Sequence, residues 1–196
     1  MSDAITVRPA TKADASDIAL LVNIATHGGP AQRWATDERA ADAYDPAEVG
    51  RLSVLGEEAP FSWRNATMAE ADGETVGMLM GYREPDEAQA LPGDLPPFLR
   101  PIHELEAEAA GCWYIAMLGV HLNWRGKGVG SHLLEVAEEK GAATAARGLA
   151  LICEDVNAGA RRLYARRGFT VRSQRKMVRF PGGGPQGEDW LLMLKD

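Results

Sequence analysis

The sequence predicts an α/β (or α+β) fold: a mixed central sheet of six to seven strands flanked by helices. Three observations carry that expectation. Apolar residues recur at period two in short runs and at helical spacing in longer ones, and the two kinds of run alternate along the chain. Residues 112–120 and 149–153 are almost wholly apolar, as strands buried on both faces are. Asp72-Gly73 stands between two strand-like runs, a residue pair that closes a two-residue hairpin.

Each element follows from a local signal. Ile5-Thr6-Val7-Arg8 alternates and reads as a first strand. Thr11 and Asp14 form a capping-box pattern, after which Ile18, Leu21, Val22 and Ala25 recur at helical spacing until His27-Gly28-Gly29-Pro30 stops them. Residues 31–45 are polar and carry no clear signal. Asp45-Pro46 reads as an N-cap followed by proline at the first helical position, with a helix to about Leu55. The hairpin strands run from Asn65 to Glu70 and from Glu74 to Arg83. Five prolines between Pro85 and Pro101 impose an irregular loop, and His103 to Ala110 reads as a short helix. Cys112 to Val120 is a central strand. Val129, Leu133, Val136 and Ala137 share one face of a helix that should end near Arg147-Gly148. Residues 149–153 form another buried strand. Asn157 caps a helix that ends at Gly168. Phe169 to Val178 and Asp189 to Leu194 read as the last strands, joined by the glycine-rich loop 181–187.

The 196 residues suit one domain, residues 1–196, with ample material for a core. A net charge of -7 argues against a nucleic-acid binder held by phosphate contacts. Arginine is nonetheless dense from Arg161 to Arg179, either as a patch for an anionic ligand or as ordinary solvated faces. Cys112 and Cys153 are the only cysteines and lack metal-ligand spacing, so buried reduced thiols are expected. His27, His103 and His132 form no metal constellation, and no metal is expected. Neither a signal-peptide pattern nor an apolar run of membrane-spanning length occurs, so the expected setting is the cytoplasm, without a membrane partner.

The most specific segment is Arg125-Gly126-Lys127-Gly128-Val129-Gly130-Ser131, after a buried strand and before a helix. Alternate glycines let the backbone turn sharply, and the helix start behind them offers N–H groups and a positive dipole end to an anion. A Walker A loop fails here, because Gly126-Lys127 is followed by glycine and His121 stands five positions before Gly126. A dinucleotide fingerprint fits poorly, because its third glycine arrives one residue early.

Two stretches fit one family together: Tyr114 to Ser131, containing Arg-x-x-Gly-x-Gly-like spacing, and Asn157 to Phe169, about 30 residues on. In these the chain resembles the GCN5-related N-acetyltransferase (GNAT) superfamily. The resemblance implies a single GNAT-like domain whose sheet is splayed between the strands at 112–120 and 149–154. It implies acetyl-CoA in that opening, with backbone groups of Leu118 and Val120 on the pantetheine arm and Gly119 marking a strand bulge. It places Arg125, Gly126, Lys127, Gly128, Val129, Gly130 and Ser131 around the pyrophosphate, Asn157 on the pantetheine, and Tyr164 near the sulfur as the acid that protonates the departing thiolate.

The implied reaction is acetyl transfer from acetyl-CoA to a primary amine of a small molecule, an amino-acid derivative or a peptide. A general base is not evident, because strand 112–120 holds no carboxylate. Glu104, Glu106, Glu108, Glu154 and His121 are candidates, and Glu154 and Glu106 are carried forward with Tyr164 as the catalytic set. The five tryptophans are read as core anchors or as a substrate cage. Segments 24–62, 85–110 and 180–188 are expected to line the acceptor side. The missing base keeps a non-catalytic CoA-binding module open as an alternative, beside an acyltransferase for longer acyl groups. Family members often pair, so a homodimer is allowed.

Overall fold

The structure is a computed structural model that describes residues 4–37, 45–57 and 60–196. Seven strands lie in one open sheet in the order β1-β2-β3-β4-β5-β7-β6, and parallel and antiparallel pairs make it mixed. The strands are β1 (Thr6–Pro9), β2 (Ala66–Ala71), β3 (Glu74–Arg83), β4 (Trp113–Val120), β5 (Leu149–Glu154), β6 (Thr170–Lys176) and β7 (Asp189–Lys195). Six helices occur among the described residues: α1 (Ala15–Ala25), α2 (Gly29–Thr36), α3 (Pro46–Val54), α4 (Arg100–Glu108), α5 (Val129–Ala143) and α6 (Ala158–Arg166). Contacts gather the chain into two compact units.

The first unit holds residues 1–81, 117–133 and 181–184. β1, β2 and β3 pair antiparallel in turn, and Asp72 and Gly73 close the hairpin at φ 53° and 81°. The helix entry forms as the sequence predicts. The Asp14 carboxylate accepts from the Thr11 N–H at 2.7 Å and from the Thr11 hydroxyl at 2.9 Å, and Arg8 grips both of its oxygens at 2.7 and 2.8 Å. α1 then buries Ile18, Leu21 and Val22 against Met68, Met78 and Met80, with Trp34, Trp63 and Met117 packed on the same cluster. The unbranched methionines fill irregular gaps between helix and sheet. Asp45 caps α3 by accepting from the Ala47 N–H at 2.9 Å. Helix α2 begins within the expected stop, at Gly29 with Pro30 in its first turn, and runs into the stretch 31–45 that carried no signal; Asn23 holds it in part by accepting from the Ala31 N–H at 3.1 Å. The remainder of that uncertain stretch, residues 38–44, lies outside the described residues.

The second unit holds residues 82–116, 134–180 and 185–196. Its core joins Leu105, Cys112, Tyr114, Ala150, Trp190 and Leu192, with Tyr82, Ile102 and Phe180 half-buried against them. β5 pairs with β7 along its whole length, whereas the parallel ladder between β4 and β5 runs only over Trp113↔Leu149, Tyr114↔Ala150 and Ile115↔Leu151. Burial along β4 follows the ladder: the paired residues are buried, and Ala116, Met117 and Leu118 beyond them are partly exposed. β6 is an edge strand and is mostly exposed, with Arg172 and Lys176 in solvent, charges of the kind that discourage a further strand from adding.

Helix α5 ends at Ala143, short of the Arg147-Gly148 stop that the sequence suggested. Ala145 adopts the left-handed conformation at φ 50°, the Ala146 N–H bonds the Gly141 carbonyl at 3.1 Å, and the Ala145 N–H bonds that of Ala142 at 3.2 Å. That double bond pattern terminates a helix without a glycine at the usual position. The arginines take ordinary structural partners in several cases. Arg167 pairs with Glu135 and Glu138, and Arg175 with Glu104 and Glu108.

Candidate active site

The glycine loop belongs to the first unit. The His121 N–H bonds the Val76 carbonyl at 3.0 Å and fixes the end of β4. A single 3₁₀ turn, Leu122–Trp124, then leads into the loop, where Gly126 and Gly128 stand at φ 76° and 93°. Side chains other than hydrogen rarely adopt that conformation, so alternate glycines are required by the path of the chain. A Cβ at either position would meet no atom within 4 Å, so open space borders the loop. The first intrahelical bond of α5 runs from the His132 N–H to the Gly128 carbonyl at 3.0 Å. The N–H groups of Val129, Gly130 and Ser131 therefore precede it and lack intrahelical acceptors. Lys127 lies over the Trp124 ring at 4.5 Å, and Arg125 Nε donates back to the Val120 carbonyl at 3.3 Å. The donor set is thus one of backbone N–H groups at a helix start beside two cations, which fits a phosphate-bearing group.

Gly119 has a reason that the sequence did not reveal. A Cβ there would stand 2.6 Å from the Leu21 carbonyl oxygen, so α1 crosses β4 at backbone distance. Leu118 and Val120 flank it on the partly exposed stretch of β4.

Tyr164, Asn157, Glu154 and Glu106 belong to the second unit. Tyr164 is buried on α6 with its ring 5.9 Å from Phe169. Burial, and then the neighbouring Cys153 thiol, push its phenol above the ordinary tyrosine range, so it stays protonated. Burial likewise pushes Cys153 up to about 12, and both cysteines are free and buried. Asn157 is the N-cap of α6, accepting from the Ala160 N–H at 3.1 Å.

The carboxylate candidates separate by environment. Glu154 is buried at the end of β5 and accepts from the Gln186 N–H at 3.1 Å, which ties down the glycine-rich loop. Glu104 and Glu108 are engaged by Arg175, and Glu108 also accepts from the Ser173 hydroxyl at 2.6 Å. Glu106 differs. Its Oε2 lies 2.7 Å from His103 Nδ1, one turn back on α4, and Tyr114 on β4 is a neighbour. Burial raises its affinity for a proton, and His103 and Tyr114 only partly offset this.

Around Glu106 stand groups that the sequence did not single out. Tyr82 meets Tyr114 edge-on at 5.8 Å, and Glu84 follows at the end of β3. Burial, and then the Glu106 charge, raise Glu84. Burial and then the same charge hold the Tyr82 and Tyr114 phenols protonated. The available signal was His103-x-x-Glu106, a pair three residues apart on a helix. Trp34 and Trp63 pack on the first unit's core, Trp113 is buried and Trp190 lies in the second unit's core, while Trp124 lies under Lys127. Among the described residues, no group of three or more His, Cys, Asp and Glu could hold a metal ion, and no helix is long and apolar enough to cross a membrane.

Comparison with known proteins agrees with this fold. The family model for the acetyltransferase (GNAT) family matches residues 32–169. No curated protein matches the chain. Similar solved structures include an acetyltransferase at 21% identity and TM-score 0.63, covering 97% of this chain and 98% of that one. An N-acetyltransferase from Staphylococcus aureus Mu50 has 17% identity and TM-score 0.63, covering 97% and 100%. The ribosomal-protein-S18-alanine N-acetyltransferase from Escherichia coli has 17% identity and TM-score 0.59, covering 97% and 92%. At such identities these likenesses speak for the fold, while the family match spans well over half of the sequence. The chain belongs to the acetyltransferase (GNAT) family.

Proposed function

We propose that the protein is an acetyl-CoA-dependent N-acetyltransferase that acetylates a primary amine. The observation that carries the reading is the loop at the start of α5: two left-handed glycines and three helix-start N–H groups, in a chain of this family. In this reading Gly126 to Ser131 take the pyrophosphate of the donor, with Lys127 and Arg125 adding positive charge. Leu118 and Val120 offer backbone groups to the pantetheine arm, and an N–H there would stabilise the oxyanion as the amine attacks the thioester. Glu106 takes the proton of the ammonium, since burial raises its proton affinity above that of an ordinary carboxylate. Glu154, already holding the Gln186 N–H, serves the loop instead. As the C–S bond breaks, Tyr164 gives its proton to the sulfur and recovers one from the nitrogen of the new amide. The net change is an ammonium and a thioester converted to an amide, a thiol and one proton.

The test is direct. Acetyl-CoA binding is measured by calorimetry for the wild type and for Gly128→Trp, with thermal melts to establish that both are folded. Thiol release is then followed over a panel of primary amines. Equal binding by the two folded proteins, or binding with no thiol release from any amine, would overturn the reading.

A further inference from the structure

We propose that Trp124 is a positioning residue for the donor: the face of its ring seats the Lys127 ammonium, and Lys127 so held meets a phosphate group of the donor. This rests on acetyl-CoA being the donor.

The local chain path brings the two side chains together. The Trp124 N–H bonds the His121 carbonyl at 2.9 Å, and the Arg125 N–H bonds that of Leu122 at 3.3 Å, so a 3₁₀ turn fixes where the indole stands. Gly126, left-handed at φ 76°, then folds the chain back. Lys127, three positions after the tryptophan, comes over the indole with its Nζ 4.5 Å from the ring centroid. A ring face attracts a cation within about 6 Å, and tryptophan does so best. Both residues lie in the first unit, and open space borders the glycines on either side of Lys127.

The choice of partner points to an anion. Lys12, Lys176 and Lys195 each sit against a carboxylate. Among the described residues no carboxylate pairs with Lys127. The surrounding sequence offers none either: residues 109–134 contain no Asp or Glu, in a chain that has 28 of them. A carboxylate partner would cancel the charge and compete with an arriving phosphate. A ring face restrains the ammonium and leaves its charge in place. The ammonium carries three N–H donors, so some stay directed away from the ring for phosphate oxygens. A lysine stem is flexible, and one already seated has less freedom to lose when it binds. Arg125 is held differently, by a bond from Nε to the Val120 carbonyl at 3.3 Å, and does not need the ring.

Acetyl-CoA offers phosphate in two places, the pyrophosphate and the 3′-phosphate. The experiment is calorimetric titration of acetyl-CoA, and of acetyl-dephospho-CoA, which lacks the 3′-phosphate. The proteins are the wild type, Lys127→Met, Trp124→Leu and the double variant, each at low and high salt, with thermal melts to establish that they are folded. Lys127→Met should weaken acetyl-CoA binding about 10-fold or more, as loss of a charge-assisted bond does. Trp124→Leu should weaken it about 2–5-fold. The double variant should bind no more weakly than Lys127→Met, because a ring without its lysine has nothing to place. Both single variants should also show a shallower salt dependence, which loss of mere packing would not produce. Trp124→Phe keeps a ring face and should recover part of the affinity; it takes the place of Trp124→Leu in the cycle if that protein does not fold. A Lys127→Met loss seen only with acetyl-CoA assigns the ammonium to the 3′-phosphate, and an equal loss with both donors assigns it to the pyrophosphate; either supports the proposal. Losses that multiply in the double variant would overturn the role of Trp124. Wild-type affinity in Lys127→Met would overturn the whole proposal and leave the donor reading in place. No binding of acetyl-CoA by the wild type would overturn that reading and the proposal with it.

Discussion

Gly119→Ala separates two reasons for a glycine in β4. The added Cβ would lie 2.6 Å from the Leu21 carbonyl oxygen and 3.2 Å from both its carbonyl carbon and its Cβ. Real Cβ atoms essentially never approach below 3.0 Å, so α1 must retreat by at least about 0.4 Å, the difference between 3.0 and 2.6. The obstacle is helix backbone and cannot swing aside as a side-chain tip would. Ile18 and Leu21 on that helix are fully buried, so the retreat loosens the contacts that they make. Overpacking of this kind costs about 1–3 kcal/mol. Alanine regains up to about 1 kcal/mol by restricting the unfolded chain. Because the obstacle is backbone, the cost belongs in the upper half of that range, about 2–3 kcal/mol; less the gain, the net loss of about 1–2 kcal/mol, at roughly 2–4 °C per kcal/mol for a chain of this length, lowers Tm by about 2–8 °C. Calorimetric melts without acetyl-CoA measure it, with urea unfolding to check that the slope is unchanged. A Tm within about 1 °C of wild type would refute the packing argument. If acetyl-CoA affinity fell in that same protein, the glycine would be there for the donor alone.

Other expectations follow from the same contacts. The paired guanidinium of Arg8, with Thr11, holds Asp14 well below the usual carboxylate range, so its stabilisation is present above the unfolded pKa of about 3.9 and fades as pH falls below it. Asp14→Asn should therefore cost about 2–4 kcal/mol in urea unfolding at pH 7, and the gap from wild type should shrink at pH 3; a constant gap would contradict this. Tyr164→Phe should lower kcat by about 10–100-fold without weakening acetyl-CoA binding. Because its phenol is shifted upward, the wild-type rate should not fall from tyrosine ionisation up to about pH 10. Glu154→Gln keeps an acceptor for the Gln186 N–H and should retain near-wild-type kcat/KM; a loss of about 100-fold or more would return Glu154 to the chemistry.

Much of this was legible from short-range signals. The Asp72-Gly73 turn, the Thr11/Asp14 box, Asp45-Pro46, the Asn157 cap and the glycine loop all encode their geometry within a few residues, and each forms as written. Where the decision lies with distant partners, the sequence falls short. α2 is short and polar on average, opens on the Gly29-Pro30 pair that reads as a stop, and packs on α1 and α3. α5 ends on a left-handed alanine, a conformation that no alanine announces. Gly119 also meets a helix about 100 residues earlier in the chain, a contact that no local signal announces. The carboxylates of α4 looked alike until β6 supplied Arg175 to two of them and β4 placed Tyr114 beside the third.

The boundary between the two compact units runs through the middle of regular elements: after Gly81 in β3, after Ala116 in β4 and after Leu133 in α5. Recombination or truncation at those three points would cut elements rather than join modules, whereas the crossings after 180 and after 184 fall in the loop between β6 and β7. The same arrangement bears on synthesis. Met117 completes the packing begun by Ile18, Met68 and Met80, and the first unit's segment from 117 to 133 emerges well after residue 81. At ordinary translation speeds that interval lasts roughly 3–10 s. A nascent chain must therefore carry an unfinished methionine-rich face through that interval, and truncations ending near 81 should be protease-sensitive.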